Sequence, residues 1–416
     1  MTQPAQPAQS RPVRHGSPID TDGPRVALYS EEFASDPHRV YREMRERYGS
    51  IVPVELAPGI AATLVVDYRT ALRILHDPEH FPADSRVWQK DIAPDCPVLP
   101  LLEWRPIPTR NSGPLHERYR KAMVAGLDGV DLLALHTTVG QIAGPLINSF
   151  CEDGHADMVG QYAFPLAFAM INAMLGCPPE IGQRAAAGMA AMFDGVNAAE
   201  GGAMVAAAMS DLVSLKRADP SDDVVTRILQ HPVGLDDEEM QQQILSVFGA
   251  GIEPLSNLIV NTLRLMLTDE RFAAGVLGGS LSTRDALDEV LFVDPPLTNY
   301  GVTFPRQPVL IDDIWLPAHQ PVVISFAACN SDPAINTGEY TDNRSHLAFS
   351  AGPHTCPARS VAYLIAQDAV DQLLDALPEI QLAVAGDELT WRPGPFNRSL
   401  ESLPVAFPET PPLPVF

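Results

Sequence analysis

Residues 237–268 carry the longest helical pattern in the chain, and they constrain its fold more than any other segment. Apolar or small residues recur there at the i, i+3 and i+4 spacing of one helix face: Ile244, Val247, Phe248, Gly251, Leu255, Leu258, Ile259 and Thr262. Apolar residues also occupy other positions of the segment, so we expect this helix to be largely buried. The sequence around it is mostly helical as well, from about residue 116 onward.

The remaining segments predict further helices and a smaller β region. We expect a charged helix over 31–48, a hairpin over 51–56 and 62–66, a long loop over 80–112, β-type runs within 295–330, and a helix over 357–376. Neither an internal repeat nor a clean linker is visible. The sequence therefore predicts a mostly α fold with a smaller β region, formed by a single large domain over residues 26–416. A Pro/Gln/Ser-rich arm over residues 1–25 should be flexible.

Composition excludes several classes of function. The 416 residues are 46% apolar and carry a net charge of −24, which suits a soluble globular protein and disfavours nucleic-acid and anionic-membrane partners. Five cysteines without a CxxC pair indicate neither a zinc site nor a disulfide scaffold. The N-terminus lacks a signal-peptide core, and we expect no uncharged apolar run of about 18 residues. These features predict a cytoplasmic protein that is not bound to a membrane.

The segment from Phe349 to Arg359, FSAGPHTCPAR, carries the sharpest chemical signal. Cys356 precedes a predicted helix start, where Pro357 suits the first position and free N–H groups stabilise a thiolate. Gly352 permits a tight turn beside a flat ligand. A lone thiolate suits a metal whose other positions are filled by a cofactor, as in haem. The alternative is a small buried cysteine with a packing role.

A basic cluster stands out against the acidic background. Its members are Arg105, Arg110, His116, Arg118, Arg120 and Lys121, with Glu117 the one acid among them. His116 and Arg120 are four residues apart, so on a helix they can address one anion together. The cluster indicates an anion site or a partner face, and ordinary solvated basic residues are the alternative.

Together these segments resemble the cytochrome P-450 superfamily, in its soluble bacterial type. Phe349, Gly352, His354, Cys356 and Ala358 match the family's haem-ligand loop, whereas Ser350 stands where glycine is usual. The resemblance extends from about residue 30 to 406. It implies the haem-thiolate fold, haem b ligated by Cys356, and insertion of one oxygen atom from O2 into a small organic substrate. Electrons would come from a ferredoxin and its reductase, and the protein would be a monomer.

The resemblance also covers the long helix and the basic cluster. The segment Ala250–Pro254 resembles the family's oxygen-side motif, with Gly251 beside the ligand and Glu253 passing protons. Pro254 replaces a threonine that supplies a hydroxyl, and it should kink the helix and open the turn beside Gly251. Asn257 is better placed than Ser256 to help Glu253.

His116, Arg120 and His346 resemble contacts to the haem propionates. By analogy, Arg359 with Arg118 or Lys121 would face an acidic ferredoxin. Side chains suited to an apolar or aromatic substrate are Trp88, Val247, Phe248, Leu297 and Val302.

Two further departures concern the core. Phe292 stands where the family's Glu-x-x-Arg helix has arginine, so Glu289 needs another partner, for which Arg284 and Arg344 are candidates. The segment from Asn299 to Pro305 lacks an arginine that often contacts propionate. These departures leave two alternatives open, a haem-binding sensor or partner protein without turnover, and a peroxide-driven oxidase. A non-haem binding module is a third.

Overall fold

The structure is a computed structural model, and it describes residues 25–193, 198–273 and 281–414. The predicted N-terminal arm lies outside the described residues, apart from Arg25. The helices are α1 (Glu31–Ser35), α2 (Pro37–Tyr48), α3 (Tyr68–Leu75), α4 (Leu99–Leu102), α5 (Gly113–Asp128), α6 (Leu132–Asn148), α7 (Phe164–Leu175), α8 (Pro179–Phe193), α9 (Ala198–Ala218), α10 (Val224–Leu229), α11 (Asp237–Thr268), α12 (Glu270–Ala273), α13 (Thr283–Val293), α14 (Phe326–Asn330) and α15 (Arg359–Ala376). The expected mostly α fold is confirmed.

The strands form three small sheets. They are β1 (Val26–Ala27), β2 (Ile51–Ala57), β3 (Ile60–Val65), β4 (His155–Asp157), β5 (Gly301–Thr303), β6 (Val309–Ile311), β7 (Ile314–Leu316), β8 (Val322–Ile324), β9 (Gln381–Leu382) and β10 (Pro404–Ala406). The largest sheet has the order β1-β2-β3-β8-β5, and the others are β4-β10-β9 and the β6-β7 hairpin. The hairpin expected from 51–56 and 62–66 is the antiparallel pair β2-β3.

The long helix α11 is the axis of the helical body. It begins with a capping box between Asp236 and Glu239, which satisfies free N–H groups at its first turn. Its apolar faces pack against α7, α9, α13 and α15. The helix runs unbroken for 32 residues although Pro254 lies inside it. The chain thus keeps one continuous helix where we expected an opened turn, and the proline removes only the N–H donor for the Ala250 carbonyl.

The charged segment 31–48 is two helices, where we expected one. Asp36 ends α1 and caps α2, because its side chain accepts a hydrogen bond from the Arg39 N–H and Pro37 occupies the first helical position. The long loop over 80–112 is confirmed as irregular. It holds 3-10 turns at Trp88–Asp91 and Pro108–Arg110 besides the short α4.

Two helical stretches are long and apolar enough to cross a membrane by length and composition, namely Met158–Leu175 and Asp237–Thr268. The first has no charged residue over 18 positions, so the expectation that no such run exists is wrong. About half of each stretch is buried within the fold, at 50% and 56%. Both stretches therefore serve as central packing elements of the helical body.

Candidate functional site

Cys356 lies in a tight loop between a 3-10 turn, Gly352–His354, and the start of α15. Its N–H donates to the Phe349 carbonyl at 2.9 Å, which closes the loop. Gly352 has φ of +67°, and a Cβ there would lie 2.3 Å from the Leu75 carbonyl oxygen. Only glycine fits that position, because the turn is left-handed and pressed against the end of α3.

The sulfur environment differs in detail from the expectation. The helix begins at Arg359, two residues later than Pro357, so the Ala358 N–H is the group that donates to the sulfur. Burial raises the pKa of the Cys356 thiol, and the hydrogen bond from Ala358 and the charges of Arg120 and Arg359 only partly oppose this. A coordinating metal cation would deprotonate the thiol.

Helix α5 brings His116 and Arg120 against this loop. The Arg120 Nη2 donates to the Thr355 carbonyl at 2.5 Å, and the His116 ring lies 4.5 Å from the His354 ring. His116 is buried, and its Nε2 has no hydrogen-bond partner. The structure therefore assembles Cys356, His354, His116 and Arg120 at one place.

The two histidines of this cluster are uncharged at neutral pH. Burial, followed by the charges of His116, Arg120 and Arg110, lowers the pKa of His354 to about 3. Burial and Arg120 also lower the pKa of His116. A neutral imidazole still offers one N–H donor, so both side chains remain able to bind an anion.

His346 lies apart from that cluster. Its ring packs between Phe292 and Phe349, with centroid distances of 5.4 and 5.8 Å. Burial and the charges of Arg359 and Arg344 lower its pKa to about 4, and its Nδ1 has no partner. In the described part of the chain, His346 makes no contact with His116 or Arg120. Its expected role at a propionate stays a prediction.

The middle of α11 has one open face. Gly249 and Ala250 are exposed there although the helix around them is largely buried. A Cβ added to Gly249 would meet nothing within 4 Å. At Gly251, by contrast, a Cβ would lie 2.6 Å from the Ile171 Cδ1. The missing side chain of Gly251 admits α7, whereas we expected it to make room for a ligand.

The proton-relay candidates lie on the same side of α11. Residues 250, 253, 254 and 257 follow the i, i+3, i+4, i+7 spacing of one face. Glu253 is half-buried and forms an ion pair with Arg392, at 2.7 Å between Oε1 and Nη2. Asn257 is buried and its Nδ2 lacks a partner. Sequence reasoning missed Arg392, which lies 139 residues away in a Pro-rich segment without periodicity.

The partner of Glu289 is neither of the two candidates, Arg284 and Arg344. Glu289 pairs with Arg271 at 2.7 Å, whereas Arg284 faces Asp342 and Arg344 lies over the Tyr363 ring. Position 271 is at the start of α12, and nothing in the sequence spacing marks it.

Phe292, at the arginine position of α13, is 2% exposed. Its ring lies 5.2 Å from the Tyr340 ring, besides its contact with His346. Aromatic packing thus occupies the place of the expected ion pair.

The suggested pocket residues fall into different surroundings. Phe248 is 1% exposed within the main core, and Trp88 and Val302 belong to the core beside the large sheet, where Trp88 packs against Phe304. Their predicted contact with a substrate is therefore not supported. Val247 and Leu297 are half-buried. The open face of α11 consists of the small residues Ser246, Gly249 and Ala250.

The fit of these residues to haem can be tested by their chemistry. Within the described residues, no group of three or more His, Cys, Asp or Glu side chains can hold a metal ion. A metal at Cys356 therefore needs a cofactor for its other ligands. The unpartnered His116 Nε2 and the Arg120 guanidinium suit a carboxylate-bearing group. The residues fit.

The chain matches curated proteins in sequence and solved structures in fold, over nearly the whole length of each. The chain is 26% identical to cytochrome P450 107B1 of Saccharopolyspora erythraea over 404 residues, 92% of this chain and 98% of that protein. It is 27% identical to the cytochrome P450 monooxygenase PikC of Streptomyces venezuelae, over 91% of this chain and 93% of that protein. The solved structure of CYP154C4 from Streptomyces sp. W2061 matches with a TM-score of 0.82 at 24% identity, over 92% and 98% of the two chains. A scan against models of protein families matches none.

Proposed function

Because the chain belongs to the cytochrome P450 family of haem monooxygenases, we propose that it inserts one oxygen atom from O2 into a bulky, apolar or aromatic small molecule. The observation that carries this proposal is the Cys356 loop, with His116, Arg120 and His354 gathered beside it. Haem b is the proposed form of the cofactor, which supplies reductive activation of dioxygen when it is bound.

The residues that would hold the cofactor come from three elements. The Cys356 sulfur would ligate iron, and Phe349, Gly352 and Ala358 shape the loop that presents it. His116, Arg120 and His354 would donate hydrogen bonds to the propionates. Ala250 would cover the opposite side. Because these groups are buried, their hydrogen bonds to a carboxylate would be stronger than those of the same groups in water.

Proton supply is proposed to run through Glu253. Its carboxylate is half-exposed and tied to Arg392, so it can exchange protons with solvent from a fixed position. Pro254 offers no hydroxyl, but it leaves the Ala250 carbonyl without its helical donor, and that oxygen can hold a water. The unpartnered Asn257 Nδ2 can hold another. Glu253, two waters and Asn257 would replace the missing threonine.

Two of the three basic residues suggested for ferredoxin binding lie close to acids of this chain. Arg118 is engaged by Glu239, at 2.8 Å between Nη2 and Oε2, and Lys121 lies 3.8 Å from Glu117. Arg359 is exposed beside the cysteine loop. We retain Arg359 and Lys121 as the charges that would attract an acidic ferredoxin, and Arg118 becomes a structural residue.

Relatives support the choice of substrate class. One curated relative is the vitamin D(3) 25-hydroxylase of Pseudonocardia autotrophica, and another is a steroid C26-monooxygenase of Mycobacterium tuberculosis. Both are named for bulky, largely apolar substrates. The exposed residues on the open face of α11, Gly249 and Ala250, carry no large side chain. We further propose that the protein acts as a cytoplasmic monomer.

The test is the absorption spectrum of the dithionite-reduced protein with carbon monoxide. We expect the Soret band at the long wavelength typical of thiolate ligation in the wild type and its absence in Cys356→Ala. A band of neutral-thiol or histidine ligation would favour the sensor alternative. Purified protein that binds no haem, with ample haem supply, would refute the proposal.

Peroxide-driven oxidation is the second candidate, because Pro254 removes the hydroxyl used for dioxygen protonation. Turnover with hydrogen peroxide is compared with turnover through ferredoxin, ferredoxin reductase and NAD(P)H. A product formed only with peroxide would replace the first proposal by this one. Product formed through the electron-transfer chain at comparable yield would exclude it.

A further inference from the structure

Arg110 is a buried cation without an anion. It ends the 3-10 turn Pro108–Arg110, and it is 5% exposed. Its guanidinium donates to three neutral oxygens, the Thr109 carbonyl, the Leu101 carbonyl and, at 2.6 Å, the Tyr300 hydroxyl. No carboxylate lies within ion-pair distance of it in the part of the chain that the structure describes. A buried guanidinium in this state lacks the counter-charge that normally offsets its desolvation.

The neighbouring arginine, by contrast, has a carboxylate partner. Arg105 lies five residues earlier, is half-buried, and has Glu103 at 2.6 Å. The chain has 52 acidic residues and 28 basic ones, so acidic side chains outnumber the cations that they could pair with. Arg120 is the other half-buried guanidinium here whose hydrogen bond goes to a carbonyl, that of Thr355. The region therefore holds two guanidinium groups, those of Arg110 and Arg120, whose hydrogen bonds go to neutral oxygens.

The position of Arg110 links it to the site already described. The turn Pro108–Arg110 packs against α5, the helix that carries His116 and Arg120. Its partner Tyr300 belongs to the segment 299–305, which carries no arginine. The hydrogen bond to Tyr300 brings a guanidinium from the 108–110 turn to that segment.

We propose that Arg110 binds a carboxylate at this site and that the carboxylate is a propionate of the bound haem. With Arg120 it provides two guanidinium groups for the two carboxylates of the porphyrin. Tyr300 orients Arg110 by accepting its hydrogen bond while donating to the Leu101 carbonyl at 3.1 Å. This inference rests on the proposed haem function. A carboxylate on the substrate is the other possible source of the same chemistry.

The experiment compares haem loss from the wild-type holoprotein, Arg110→Gln and the control Arg105→Gln, by transfer to excess apomyoglobin. Loss from Arg110→Gln should be faster by about tenfold or more, the size expected for a lost charge-assisted hydrogen bond. Arg105→Gln should match the wild type. The reduction potential of iron should fall in Arg110→Gln, because a less neutralised propionate favours the more positive ferric state.

A second arm distinguishes the two sources of carboxylate. The proteins are reconstituted with haem whose two propionates are methyl esters. If Arg110 binds a propionate, wild type and Arg110→Gln should lose this haem at the same rate. Equal loss of ordinary haem from both proteins would overturn the proposal and leave a substrate carboxylate as the ligand.

If Arg110→Gln does not fold, Tyr300→Phe and Arg110→Lys serve instead, and each should accelerate haem loss to a smaller extent. Absence of haem from the wild type would refute the proposed function itself.

Discussion

At the scale of single residues, Ser350 shows why the family's loop prefers glycine at that position. Its φ is +59°, in the left-handed region that costs a side-chain-bearing residue about 1 kcal/mol or more. The N–H of Ser350 donates to the Leu347 carbonyl at 2.7 Å, which holds the residue in this conformation. The strain lies in the loop that carries Cys356.

Ser350→Gly should therefore stabilise the protein. We expect a gain of up to about 1 kcal/mol in the free energy of unfolding, because glycine adopts the left-handed conformation without a steric penalty. The greater conformational entropy of glycine in the unfolded chain offsets part of this gain. Urea unfolding of the haem-free protein measures it. Ser350→Ala retains the penalty and should show no gain. An equal gain in both variants would mean that the serine hydroxyl, and not the backbone, is unfavourable.

Arg392 is a positioning residue for Glu253. Arg392→Gln and Glu253→Gln should each lower the yield of product per NAD(P)H oxidised, because the carboxylate loses its fixed position in one variant and its proton in the other. Full coupling in Glu253→Gln would exclude the relay.

The site could be predicted from the sequence only where its residues are close in the chain. Cys356, His354 and Gly352 belong to one loop, and His116 and Arg120 to one helix turn, so short spacing sufficed. Arg392 and Arg271 reach their acids from 139 and 18 residues away. Such pairs depend on how the elements pack, and no local pattern records them.

At the scale of elements, two glycines of α11 have opposite roles. Gly249→Ala should stabilise the helix by up to about 1 kcal/mol, because alanine is the better helix former and its Cβ meets nothing. Gly251→Ala should gain less or destabilise, since its Cβ collides with the Ile171 side chain, which then has to move. Urea unfolding of both variants checks the contrast. Equal effects would mean that α7 does not need the close approach.

Helix α13 offers a test of the missing arginine. Phe292→Arg should lower stability by more than about 2 kcal/mol, because it buries a charge among rings while Arg271 already holds Glu289. Phe292→Leu should cost less. Adding Arg271→Ala to Phe292→Arg frees Glu289 and should recover part of the loss. No recovery would show that Glu289 cannot turn inward.

At the scale of the whole molecule, Asp294 joins distant parts of the chain. The carboxylate is buried, with His38 and Arg264 at 3.0 Å and Arg398 at 3.4 Å. Burial alone would raise its pKa, but the hydrogen bond from His38 and the charges of Arg398, His38 and Arg264 outweigh burial and hold the pKa well below 3.8. The ion cluster ties α2, α11 and the C-terminal segment to the end of α13.

The sign of the pH effect follows from that lowered pKa. Stability supplied by ionised Asp294 is complete above about pH 4 and is lost as pH falls toward the folded-state pKa. Asp294→Asn should cost about 3 kcal/mol or more at neutral pH and should flatten the acid side of the stability profile. Urea midpoints from pH 3 to 7 measure both. If stability falls with decreasing pH as steeply in Asp294→Asn as in the wild type, other carboxylates cause the loss.

Helix α5 contacts the cysteine loop and the first turn of α11. Arg120 holds the cysteine loop through Thr355, and two residues earlier Arg118 holds Glu239 in the first turn of α11. Helix α5 therefore joins the cysteine loop to the N-terminal turn of α11. A displacement of α5 would disturb the cysteine loop and the start of α11 at once.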